Sequence, residues 1–91
     1  MTDVANRMAQ LAGQFAARAA DERARLAVAL AASDRASLQE QAHKLAGIAG
    51  MFGHPRIGEA ALELEEAAEG GFDVSAPGAE LDSLLAELQR C

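Results

Sequence analysis

Along the first third of the chain, apolar residues recur every three or four positions. Met8, Leu11 and Phe15 form one stripe, and Leu26 with Leu30 continues it beyond a stretch of small and charged residues. That spacing predicts helix from Asp3 to Ala32, interrupted only by Gly13. It fits one long helix or two with a bend near Ala19-Ala20-Asp21. Asp21 and Arg25 have the acid-before-base spacing of four that supports a helix. Ser33 or Asp34 is placed to cap a second helix, with Arg35-Ala36-Ser37 as its first turn. Leu38, Ala42, Leu45, Ala49 and Phe52 form its apolar stripe, and Gly53 marks its end. His54-Pro55 restarts the chain, because the residue before proline avoids the helix and proline is welcome in a first turn. A third helix therefore begins at Pro55, carries Ile57, Ala61, Leu64 and Ala68 inward, and stops at Gly70-Gly71. Phe72-Asp73-Val74-Ser75-Ala76 reads as a connector whose Phe72 tucks under the bundle. Pro77 opens a fourth helix with Leu81, Leu84, Leu85 and Leu88 facing in. Helices of about 15 residues joined by short loops predict an all-α antiparallel four-helix bundle, with room for a short extra N-terminal helix.

Composition sharpens this picture mainly by exclusion. The 91 residues suit one domain, too short for a catalytic domain plus a recognition domain. Hydrophobic residues make up 51% and the only aromatics are three phenylalanines, as expected of an alanine- and leucine-rich bundle. A net charge of −6 argues against nucleic acid or an anionic membrane as the main partner, since both need clustered Lys and Arg. No apolar run approaches the ~20 residues that span a bilayer. The N-terminus has no basic region leading into an apolar stretch, so no signal peptide is expected. Cys91 has no second cysteine to pair with and is expected to be an exposed thiol. Together these point to a cytoplasmic protein.

The second helix has a peculiar outer face. At about 100° per residue, His43, Gly47 and Gly50 share one side, opposite the apolar stripe. Glycine costs a helix interior about 1 kcal/mol relative to alanine, so two on one stripe imply that something approaches the backbone closely there. A titratable, nucleophilic ring is left facing water, with no metal ligands beside it.

The run Ala42-His43-Lys44-Leu45-Ala46-Gly47 with Gly53 resembles the histidine-phosphotransfer (HPt) module of bacterial phosphorelays, whose pattern is roughly A-H-x-L-K-G-x-x-x-x-x-G. Ala42, His43, Leu45, Gly47 and Gly53 fit in order. Ile57 to Glu65 is similar to the next helix of those modules and of the related phosphorylated domain of chemotaxis kinases. The resemblance spans nearly the whole chain, so residues 1–91 are expected to form a single HPt domain, although only Ala42 to Glu65 is specific. It implies that His43 is the phosphoacceptor of a phosphocarrier in two-component signal transduction. The group would pass from a receiver-domain aspartate of a hybrid sensor kinase to a response-regulator receiver. Gly47 and Gly50 would leave room for the docked partner. One departure stands out: the lysine usual three residues after the histidine is Ala46 here, at a position expected to be exposed.

Other residues refine the site. Gln39 and Glu40 lie one turn before His43, and either would accept a hydrogen bond from one ring nitrogen and leave the other as nucleophile. Lys44 points sideways, yet its flexible chain would bring a cation to the phosphoryl oxygens in place of the one missing at Ala46. His54 reads as a loop residue and Met8 and Met51 as core or rim packing. Glu59, Glu63, Glu65, Glu66 and Glu69 read as a solvated surface without convergence. His43, His54 and Cys91 lack zinc spacing. No Walker-type or kinase nucleotide segment is present, so autophosphorylation from ATP is not expected. No cofactor is expected on this chain, the Mg²⁺ belonging to the partner receiver. Two alternatives stay open: a non-phosphorylated helical adaptor bundle, and the dimeric phosphoacceptor domain of a histidine kinase. In the latter an acidic residue usually follows the histidine, where this chain has Lys44. Four helices in one chain favour a monomer.

Overall fold

The computed structural model describes residues 2–90, with the side chains of all of these except 2, 3, 8, 11 and 12. Among them the chain forms four α-helices: α1 (Thr2–Ala32), α2 (Arg35–Met51), α3 (Pro55–Gly70) and α4 (Ser75–Arg90). Among the described residues each helix packs against its neighbours in a ring, α1–α2–α3–α4–α1, with the closest packing between α2 and α3. This is the expected all-α bundle. The N-terminal third is one helix of 31 residues rather than two, with no separate extra helix among the described residues. Phe15, Ala19, Glu22, Leu26 and Ala29 are all buried at spacings of four, three, four and three, so one uninterrupted stripe holds α1 down. The Met8 and Leu11 side chains and Cys91 lie outside the described residues.

Local chemistry sets most boundaries. Ser33 takes a left-handed backbone (φ 54°) that ends α1, with Asp34 N–H bonded back to the Ala29 carbonyl. Asp34, rather than Ser33, caps α2: its carboxylate accepts from the Ser37 N–H at 3.2 Å and the Ser37 hydroxyl at 2.7 Å. Those two bonds hold the Asp34 carboxyl below the ordinary carboxylate range. Gly53 (φ 76°) makes the turn into Pro55, and Gly71 (φ 77°) caps α3. α4 begins two residues before Pro77. Proline needs no N–H partner in a first turn, and the Asp73 carboxylate accepts from the Ser75 N–H at 3.0 Å.

The core is aliphatic: Leu26, Leu38, Leu45, Leu64, Leu81 and Leu85 are fully buried. Each such side chain contributes roughly 1.5–3 kcal/mol of transfer free energy. Three places differ from expectation. Phe72 is exposed rather than tucked under the bundle, because its ring lies against Gly70 on the outer side of the α3–α4 connector. Met51 is exposed, neither core nor rim. Leu88 is only partly buried near the end of α4.

Polar contacts also join neighbouring helices. Gln41 Nε2 donates to the Glu22 carboxylate at 3.0 Å and to its backbone carbonyl at 2.8 Å, tying α2 to α1. Arg23 grips Asp82 with two nitrogens at 2.9 and 3.2 Å and reaches Gln89, tying α1 to α4. The α2–α3 seam is built differently. A Cβ added at Gly58 would meet the Ala46 carbonyl at 3.7 Å, the Ala49 Cβ at 3.8 Å and the Gly50 nitrogen at 3.9 Å. Small residues on both sides let these two backbones approach closely.

Candidate functional site

α2 presents His43 on its solvent side, held from behind by the buried Leu38, Ala42, Leu45 and Ala49. The His43 side chain is 76% exposed. Its Nδ1 lies 2.8 Å from Oε2 of Glu65 on α3, whose side chain is 17% exposed. A carboxylate only accepts hydrogen bonds, so the proton of this pair sits on Nδ1. The other ring nitrogen, Nε2, is thereby left with its lone pair in the neutral imidazole and faces outward. No metal-ligating cluster of His, Cys, Asp and Glu occurs among the described residues.

Glu65 was expected to be a solvated carboxylate, and Gln39 or Glu40 to hold the ring. The structure reverses this. Glu40 instead accepts from Lys44 Nζ at 3.1 Å, an exposed pair one turn apart on α2, and Gln39 is half-buried. The signal that finds Glu65 is the register of the α2–α3 hairpin. Gly58 packs on Gly50; seven residues back from Gly50 is His43, and seven on from Gly58 is Glu65. Seven residues are close to two full turns, so one contact across the seam implies the other.

Gly47 and Gly50 are exposed, and a Cβ on either would meet nothing within 4 Å. Folding does not require glycine at these positions. Met51 (73% exposed) on α2 and Leu62 (48% exposed) on α3 are also open to solvent. Ala46 was expected to be exposed but is half-buried, packed against the core along the α2–α3 seam. Of the sequence-predicted residues, the structure thus places His43, Gly47 and Gly50 on one open face, with Lys44 and Glu40 beside it. His54 is a structural residue: it precedes α3 and its ring stacks on Phe15 with centroids 5.3 Å apart.

The described residues thus form an all-helical bundle whose exposed histidine, His43, is seated on a carboxylate beside a side-chain-free strip. The chain belongs to the Hpt domain family, which it matches over residues 10–91. No curated protein and no solved structure matches it. Hpt domains are phosphocarriers without kinase activity that serve histidine phosphotransfer in phosphorelays and interact with the receiver domains of kinases and response regulators. No helix among the described residues is long and apolar enough to cross a membrane.

Proposed function

We propose that His43 is the phosphoacceptor of a cytoplasmic, monomeric HPt protein. In this reading it relays a phosphoryl group from a receiver aspartate of a hybrid sensor kinase to that of a response regulator. The observation that carries this reading is the His43–Glu65 pair on an otherwise open face. In the first step the Nε2 lone pair attacks phosphorus, and the P–N bond forms as the acyl P–O bond breaks. The donor aspartate leaves with that electron pair. The ring keeps its Nδ1 proton and becomes positive, facing the Glu65 carboxylate. In the second step an acceptor aspartate attacks, and the P–N electrons return to Nε2. A ring still protonated at Nδ1 is the better leaving group, so the same hydrogen bond serves both directions. Transfer of this kind rests mainly on alignment and charge stabilisation. The partner receiver supplies Mg²⁺ and the acidic pocket, and Gly47 and Gly50 admit it to the ring. Support for the monomer comes from the ring of four helices that this one chain closes.

The test is phosphotransfer from receiver domains of the source organism, charged with acetyl phosphate and Mg²⁺, followed by ³¹P–¹⁵N correlation on the ring. The label is expected on Nε2 of His43. A label on Nδ1, or on another residue, would contradict this assignment.

The alanine at position 46 makes a further expectation. The nearest cation along α2 is Lys44, and exposed pairs such as Glu40–Lys44 contribute only about 0.3–0.5 kcal/mol. Lys44 is therefore readily drawn from Glu40 to a phosphoryl group on His43. Lys44→Ala should slow transfer or shorten the phosphohistidine lifetime. Ala46→Lys should do the opposite, its stem lying along the seam and its ammonium reaching water. Unchanged rates and lifetimes in both variants would show that the receiver supplies the needed positive charge alone.

A further inference from the structure

On the outer side of α2, two residues within a turn of His43 carry side-chain N–H donors, Gln39 and Lys44. They flank the ring on different sides. Lys44 lies about 100° around the helix, where it is paired with Glu40. Gln39 lies on the α3 side: it precedes Gly50, which packs on Gly58, by eleven residues, close to three full turns. Gln39 is half-buried, yet its amide makes no hydrogen bond with any described residue. The amide nitrogen and oxygen are open to water. α3 brings no donor to this side. One turn either way from Glu65 stand Leu62 and Glu69, an apolar group and an acceptor. The unphosphorylated ring leaves the amide unused, since its Nδ1 is already bound to Glu65.

We infer that Gln39 is a phosphoryl-binding residue: once Nε2 of His43 carries the group, the Gln39 amide donates an N–H to one of its oxygens. This rests on the reading of His43 as the phosphoacceptor. Helical side chains lean toward the N-terminus, so a group on His43 overhangs the turn that carries Gln39. The reach is available on this helix, because Lys44 Nζ meets Glu40 Oε1 at 3.1 Å across the same spacing of four. A half-buried stem has already lost part of its rotamer freedom, so little further ordering is needed. Loss of the group to water passes through a loose, metaphosphate-like state whose oxygens carry less charge than those of the bound phosphoryl. A donor on those oxygens therefore holds the charged protein more firmly than the transition state, and lengthens its life.

The experiment charges His43 with potassium phosphoramidate, which needs no receiver and so leaves docking aside. In this donor the P–N bond breaks, releasing ammonia, as the new P–N bond to Nε2 forms. ¹H–¹⁵N spectra of the side-chain amides are recorded before and after charging. One N–H of Gln39 is expected to move downfield on charging and to return as the label is lost. Gln41, bound to Glu22 of α1, should stay in place. Gln39→Met keeps the length and the helix preference but removes the donor. It should shorten the phosphohistidine lifetime about fivefold, the worth of one hydrogen bond. Gln39→Glu, an acceptor with a negative charge, should shorten it further. A merely structural glutamine would leave its amide unmoved and the Gln39→Met lifetime equal to that of wild type, and either outcome overturns the inference. If Gln39→Met does not fold, the wild-type amide spectra decide alone. A labelled His43 beside an unmoved amide refutes this inference and spares the phosphoacceptor reading, whereas wild type that takes no label on His43 refutes both.

Discussion

His43→Gln is expected to abolish phosphate acceptance while leaving helicity and thermal unfolding nearly unchanged. The side chain is 76% exposed and lies away from caps and core, where substitutions usually change stability by less than about 0.5 kcal/mol. Glutamine is preferable to alanine because its amide donates to the half-buried Glu65 carboxylate. Truncation would strip that group of its donor, and an unpaired buried acceptor costs about 1–3 kcal/mol. The captured group on the wild type should be acid-labile and base-stable, as a phosphoramidate is. Incubation with a charged receiver followed by acid and base treatment checks both points. Equal labelling of wild type and variant would remove His43 from the reaction.

Gly47→Gln should separate docking from folding. A side chain here meets no protein atom within 4 Å of its Cβ, so the bundle accommodates it. Replacing glycine in a helix interior gains up to about 1 kcal/mol of propensity, so the melting temperature should hold or rise. Transfer should nevertheless fall by about a hundredfold, because misplacing the reacting atoms by about 1 Å costs that much. Gly47→Ala, one methyl group larger than glycine, should fall between the two. A stable Gly47→Gln protein that transfers at the wild-type rate would show that the bare strip has no part in partner approach.

What the sequence made legible was local. Asp34, Pro55 and Gly70-Gly71 mark helix ends because capping and backbone restriction act within a turn or two. The apolar stripes of α2 and α3 follow from a 3.6-residue period, and the buried sets match them. Contacts between helices were less readable. Spacing along α2 pointed to Gln39 and Glu40 as partners of His43, since both lie one turn away, whereas the partner is 22 residues distant on α3. The half-burial of Ala46 and the exposure of Phe72 depend equally on how a neighbour is seated. Gly58 held the missing information: among the alanines of the third helix it marks the closest approach of the two backbones and fixes their register. The expectation of phosphoacceptor chemistry rested on residue order around His43, while the carboxylate beside the ring required the fold.

The openness of the imidazole has a temporal consequence. With three-quarters of the His43 side chain in solvent, water reaches a phosphoryl group on Nε2 as readily as any visiting protein does. No wall of the bundle screens that bond, and exclusion of water is the usual way a protein keeps a reactive intermediate. On the proposed reading, a group on His43 would be lost to water unless a receiver arrived first, so the chain would act as a wire in the relay rather than a reservoir.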